Sequence, residues 1–181
     1  PQSPCFTTTR PKISIYEAEA KQQGRDEADL ALAMADNLGI SGDKIIYYDI
    51  EGYTESLTCR IAVDSFLTGW TARLHEQGFK AGAYGSPCRS FMSDWWDNEP
   101  LLDDIWIARW LLPPEYREDV PLFGDPVCGL TDDMWDGQRR LRQYAGDHPE
   151  TWPEENGVYL GSIDSNVLWG EITAITTTTN M

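Results

Sequence analysis

Residues Ile45, Ile46, Tyr47, Tyr48, Asp49, Ile50, Glu51 and Gly52 run from apolar to acidic and stop at a glycine. Such a run reads as a β-strand opening into a loop, and side chains along a strand alternate between its two faces. Tyr47, Asp49 and Glu51 therefore share one face, while Ile46, Tyr48 and Ile50 share the face suited to packing under helices. Carboxylates two positions apart on a strand lie roughly 6–7 Å from each other along the chain, close enough for each to perturb the other's proton affinity.

Outward from this strand, short apolar runs alternate with helical patterns. Ile13 to Tyr16 reads as a strand, Asp26 to Leu38 as a helix, and Ser56 to Gln77 as a second helix. Leu30, Met34 and Leu38 recur at spacings of four and are expected to cover one face of a sheet, with Gly39 as the stop. In the second helix Ile61, Ala62, Phe66, Leu67, Trp70 and Leu74 keep helical spacing, which makes Trp70 a core residue, and Gly78 occupies the left-handed cap position. Further strands are predicted at Lys80 to Tyr84, Ile105 to Trp110, Arg140 to Ala145 and Val158 to Ile163. This βαβα rhythm predicts an α/β fold of TIM-barrel-like type, irregular because only about six strands can be counted where a complete barrel has about eight. Residues 1–12 read as a tail or linker, 13–170 as the domain, and 171–181 as a strand end and tail carrying the threonine run.

The chain of 181 residues carries 30 acidic against 14 basic side chains, a formal net charge of -16. That field repels phosphate backbones and anionic headgroups, so nucleic acid is excluded as a partner, and no apolar run reaches the length of a membrane span. Cys5, Cys59, Cys88 and Cys128 are widely spaced, with only His75 and His148 as companions, so neither a metal site nor another cofactor is expected. The even count fits one or two disulfides in an oxidising compartment, with Cys88–Cys128 the favoured pair, and buried free thiols are the competing reading. Both histidines read as surface or loop-capping residues.

A bare Asp-x-Glu is better read as Asp49 capping the following loop or helix beside Glu51 as a solvated rim residue. Its company shifts the balance: later strands deliver Tyr84, Trp106, Trp110, Gln143, Tyr144, Asp164 and Asn166 to similar strand-end positions. Aromatic faces beside paired carboxylates suit a sugar site, because one carboxyl can protonate a glycosidic oxygen while an ionised neighbour offsets the developing positive charge. For Trp106 and Trp110, filling of a barrel interior competes evenly with substrate stacking. Trp95, Trp96 and Trp135, in loops, are expected as exposed platforms or lid packing.

The segments YYDIEGY (47–53), GWTARLHEQGFKAGAYGS (69–86), DIWIARW (104–110), RQYAGD (142–147) and SIDSN (162–166) together resemble the actinobacterial glycoside-hydrolase-like domains, distantly similar to the family 25 (Chalaropsis-type) lysozymes. The resemblance implies a TIM-type barrel with Glu51 as proton donor, Asp49 as anionic stabiliser or water-positioning group, and Asp164 as a third carboxylate. Tyr47, Tyr84, Trp106, Trp110, Gln143, Tyr144 and Asn166 are the expected substrate contacts. The strand with which those families open, bearing another aspartate, has no counterpart before Ile13. Implied are a secreted or wall-associated O-glycosidase acting on a peptidoglycan-like polysaccharide, and further domains of a larger chain. The alternatives are a non-catalytic wall-glycan-binding module and a protein-docking module using the tryptophan-rich loops.

Overall fold

The computed structural model describes residue 5 and residues 12–122, 127–137, 139–152 and 158–169. Apart from Cys5 and Lys12, the expected tails at 1–12 and 171–181 lie outside the described residues. In chain order the elements are α1 (Glu17–Asn37), β1 (Ile45–Ile50), α2 (Leu57–Glu76), β2 (Lys80–Gly85), a 3-10 helix (Met92–Asp97), β3 (Asp104–Ala108), β4 (Arg140–Trp152) and β5 (Val158–Trp169). Ile13 to Tyr16 is not a strand: Ile13 is a buried plug ahead of α1, and Tyr16 takes the N-cap position.

The strands form one sheet in the order β1-β2-β3-β4-β5. The first three pairings are parallel and the last is antiparallel. The expected α/β class is present, but the sheet does not close into a barrel among the described residues, and β1 and β5 are its edges. The β4–β5 hairpin is much longer than the predicted segments, and this antiparallel connection explains why helices give out after Trp110.

Helix α2 begins at Ser56, whose hydroxyl accepts from the Cys59 N–H at 3.2 Å, satisfying an otherwise open helical donor. It buries Ala62, Phe66, Leu67, Trp70 and Leu74, as the spacing predicts, together with Val63, whereas the expected Ile61 is exposed; Trp70 donates its indole N–H to the Gly82 carbonyl at 3.2 Å. Gly39 and Gly78 both adopt the left-handed conformation expected of helix stops, at φ of 70° and 76°.

Helix α1 departs from expectation. Leu30, Met34 and Leu38 are 63%, 61% and 72% exposed and do not cover the sheet. The buried stripe is instead Ala20, Gly24, Ala28 and Ala35. Small residues allow α1 to press directly on α2: a Cβ at Gly24 would lie 2.0 Å from the Phe66 carbonyl oxygen, and one at Gly69 would lie 2.0 Å from that of Lys21. The helix also starts nine residues early, through Glu17 to Arg25, a stretch dominated by strong helix formers. Between Leu30, Met34 and the free edge of β1 lies a groove of about 380 Å³, shared on one side by Tyr47 and Asp49.

Trp95 and Trp135 are not platforms. Both are fully buried, Trp135 donating to the Leu102 carbonyl at 2.9 Å, and Trp96 packs edge-on against Trp135 at 5.0 Å. His148 is likewise no loop residue: it lies buried in β4, with Nε2 2.9 Å from the Ser165 hydroxyl. His75 is partly exposed and pairs with Asp103 at 2.7 Å.

Two disulfides form. Cys88–Cys128 is the expected pair, and Cys5–Cys59 ties the buried Cys5 to the first turn of α2. Closing loops of 54 and 40 residues, they contribute about 3–5 kcal/mol each by restricting the unfolded chain. They are compatible with an extracellular protein. No helix among the described residues is long and apolar enough to cross a membrane.

Candidate active site

The alternation predicted for β1 is present. Tyr48 turns to the helices, meeting Phe66 and Trp70 at ring-centroid distances of 4.7 and 5.2 Å. Tyr47 and Asp49 turn to the other face, and Glu51 follows immediately after the strand. Because β1, β2 and β3 are parallel and in register, residues two apart build successive rows across the sheet. Tyr47, Gly82 and Asp104 form one row, and Asp49, Tyr84 and Trp106 form the next, nearer the strand ends.

These rows line a cleft of about 290 Å³ whose walls are Tyr47, Asp49, Glu51, Tyr84, Trp106, Gln143 and Asp164. All three carboxylates proposed from sequence are therefore gathered in one space with four of the expected contact residues. Glu51 and Asp164 are exposed, Asp49 is half-buried, and Gln143 is buried.

Gln143 is the hub of the wall. Its carbonyl oxygen accepts from the Tyr84 hydroxyl at 2.7 Å and the Trp110 indole N–H at 3.0 Å, while its amide donates to Asp164 at 2.7 Å. With two donors on one side and a carboxylate on the other, only this orientation of the amide satisfies every partner. Asp164 also accepts from the Asp147 N–H at 2.9 Å, which fixes the carboxylate at the bulge of the hairpin.

Three expected contact residues stand outside the lining. Trp110 is 52% exposed and lies across Gly146, where a Cβ would come within 2.2 Å of the indole, so it braces the wall from the rim. Asn166 accepts from the Trp106 indole N–H at 2.8 Å and orients that ring. Tyr144 faces away from the cleft, since its strand neighbour Gln143 faces in. It is buried with Val120 and Ala145, and its hydroxyl bonds the backbone N–H and carbonyl of Arg117, each at 3.2 Å.

Asp104 is the residue that motif reading missed. It is 3% exposed and accepts from the Tyr47 hydroxyl at 2.9 Å. Burial pushes its carboxyl up to about 7, with Asp103 adding to the rise and the Tyr47 bond and Arg139 opposing it. Burial, then the Asp104 charge, also raises the Tyr47 hydroxyl. The available signal was parity: Asp104 is two residues before Trp106 and so shares its face.

Chemically, the cleft offers several carboxyl groups with unequal exposure beside aromatic faces and fixed amide and hydroxyl donors. That combination can bind a polyhydroxylated ring and exchange a proton with it. Among the described residues no group of three or more His, Cys, Asp or Glu side chains could hold a metal ion.

No curated protein matches the chain. Among solved structures, an uncharacterized B. stearothermophilus protein superposes with a TM-score of 0.54 at 17% identity, which shows a shared fold alone. The match covers 82% of this chain and 63% of the other, so this chain spans less than two thirds of that protein's length. The model of the Rv2525c-like, glycoside hydrolase-like domain matches residues 3–168, which takes in β1 to β4, all of β5 but its last residue and every carboxylate described above, and the chain belongs to that family.

Proposed function

We propose that the chain is a glycoside hydrolase acting on a bacterial cell-wall polysaccharide of the peptidoglycan type, secreted or associated with the wall. In this reading the open sheet is an arc of a TIM-type barrel, and the cleft lies at the carboxyl ends of its strands, where such folds carry their chemistry. Glu51, exposed just past β1, protonates the leaving glycosidic oxygen. Asp49 stabilises the cationic sugar or positions the attacking water, and Asp164, clamped by Gln143, adds a third negative charge to the wall. Tyr84 and Trp106 supply ring faces for the sugar, with Trp110 at the rim and Asn166 holding the indole.

The observation carrying this reading is that Asp49, Glu51 and Asp164 line one cleft together with Tyr47, Tyr84, Trp106 and Gln143. The test is the release of reducing ends from purified peptidoglycan. Glu51→Gln is expected to abolish release while leaving the fold and glycan binding intact. Full activity in that variant would remove Glu51 from the mechanism. Saturable binding by the wild type with no new reducing ends on prolonged incubation would favour the non-catalytic wall-binding module.

A further inference from the structure

Tyr47 reaches across the sheet in a way that depends on its two row-mates. Gly82 stands between Tyr47 and Asp104, and a Cβ there would lie 2.4 Å from the tyrosine ring. The missing side chain lets the ring lie over the middle strand and end on the buried Asp104 carboxyl at 2.9 Å. From that position the ring meets Trp106 edge-on at 5.8 Å, and Trp106 meets Tyr84 edge-on at 5.0 Å. A continuous aromatic layer of the cleft is thus anchored at one end by Asp104.

We propose that Asp104 is a positioning residue of the candidate sugar site: through Tyr47 it sets the angle of the Trp106 indole, and its proton decides whether the Tyr47 hydroxyl donates or accepts. The inference relies on the glycan reading only for the identity of what is seated against the indole. An ionised carboxyl can only accept, so it commits the tyrosine hydrogen to itself. A protonated carboxyl can donate to the phenol oxygen and release that hydrogen for another partner. The groups bearing on Asp104 are Tyr47 from β1, Asp103 beside it, and Arg139 ahead of β4. Asp103 is itself turned to His75 of α2 and to the Ala81 N–H of β2, at 2.7 and 2.8 Å. With burial holding Asp104 up to about 7, both forms are populated near neutrality.

The test follows the Trp106 indole N–H by 15N NMR in the intact protein from about pH 5 to about pH 9, assigned by its loss in Trp106→Phe. The expected result is one titration step in the wild type that disappears in Asp104→Asn, which keeps an acceptor for Tyr47 but cannot titrate. It should disappear as well in Tyr47→Phe, which leaves Asp104 in place. A step that survives in either variant, or is absent from the wild type, overturns the proposal. Chitotetraose, used as the glycan probe, should bind with an affinity that changes about threefold or more across the step, the worth of one hydrogen bond, and with no such change in Asp104→Asn. Binding that is flat with pH in the wild type would break the link between Asp104 and sugar seating. Failure of chitotetraose to bind at any pH counts against the glycan reading, and the indole titration then decides the positioning role by itself.

Discussion

The amide nitrogen of Gln143 sits 2.7 Å from the carboxylate of Asp164, joining β4 to β5 inside the candidate cleft. Through its carbonyl oxygen the same side chain holds Tyr84 of β2 and Trp110 beyond β3, so one residue fixes four parts of the wall. Gln143→Leu keeps similar bulk but takes one hydrogen-bond partner each from the Tyr84 hydroxyl, the Trp110 indole and Asp164, which keeps the Asp147 N–H. The expected destabilisation is about 1–3 kcal/mol, from the net loss of three hydrogen bonds. It is read from the urea midpoint, and an unchanged midpoint would show that the network adds nothing to the fold.

Gly82→Ala should displace Tyr47, because the added Cβ would stand 2.4 Å from its ring. The expected cost is about 1–3 kcal/mol, typical of an overfilled interior. Near-ultraviolet circular dichroism should change with it, since Tyr47, Trp106 and Tyr84 are in mutual ring contact. A normal aromatic spectrum would mean that the ring can lie elsewhere without loss.

Gly24→Ala sets helix propensity against packing. Alanine is the better helix former by about 1 kcal/mol. Here, however, its Cβ would meet the Phe66 carbonyl oxygen at 2.0 Å and the Trp70 nitrogen at 2.8 Å, both backbone atoms that cannot turn aside. Packing is expected to win, lowering the thermal midpoint. A raised midpoint would show that α1 can lift from α2 freely.

Stability should fall as pH rises through weakly acidic values. Asp104 and Asp64 are both pushed up to about 7, each chiefly by burial, and for Asp64 next by the Asp94 charge with Arg60 opposing. A carboxyl whose folded-state proton affinity exceeds its unfolded one gives stability that is full below the ordinary carboxylate range. That stability is lost as pH climbs toward about 7, by up to about 1.4 kcal/mol per pH unit for Asp104. Asp64 contributes less, because solvent reaches it in part. Urea midpoints across this window should therefore decline, and Asp104→Asn should flatten the decline. An equally steep dependence in the variant would move the effect to other groups.

What the sequence disclosed follows from strand parity. Asp49 and Glu51, two positions apart, share a face, and the same period carries Tyr47 with them and turns Tyr48 toward Phe66 and Trp70. Tyr144 as a cleft residue goes against that rule, since it adjoins Gln143 and the two cannot both face inward. Parity with Trp106 predicts the face of Asp104, but an isolated aspartate at a strand start carries no motif. Helix α1 hides its contact face for a different reason: large apolar residues dominate any periodicity count, whereas its real contact uses Ala20, Gly24 and Ala28, whose small size is the asset. Burial of Trp95 and Trp135 depends on the 3-10 helix and the loop before β4 folding over each other, a long-range arrangement that no local pattern encodes.

Neither cross-link lies within the sheet: Cys59 is in the first turn of α2, and Cys88 and Cys128 are in connections. Cys59 opens the helix that follows the Glu51 loop, and Thr54 of that loop donates its N–H to the Cys5 carbonyl at 3.2 Å. Cys88 belongs to the turn after β2, whose Arg89 carbonyl receives the Tyr53 N–H at 3.3 Å. A reductant would therefore act on the collar around the carboxylates, and loss of both cross-links would take about 3–5 kcal/mol each from the fold as a whole. The redox state of the surroundings thus bears on the mouth of the cleft and on the global stability together.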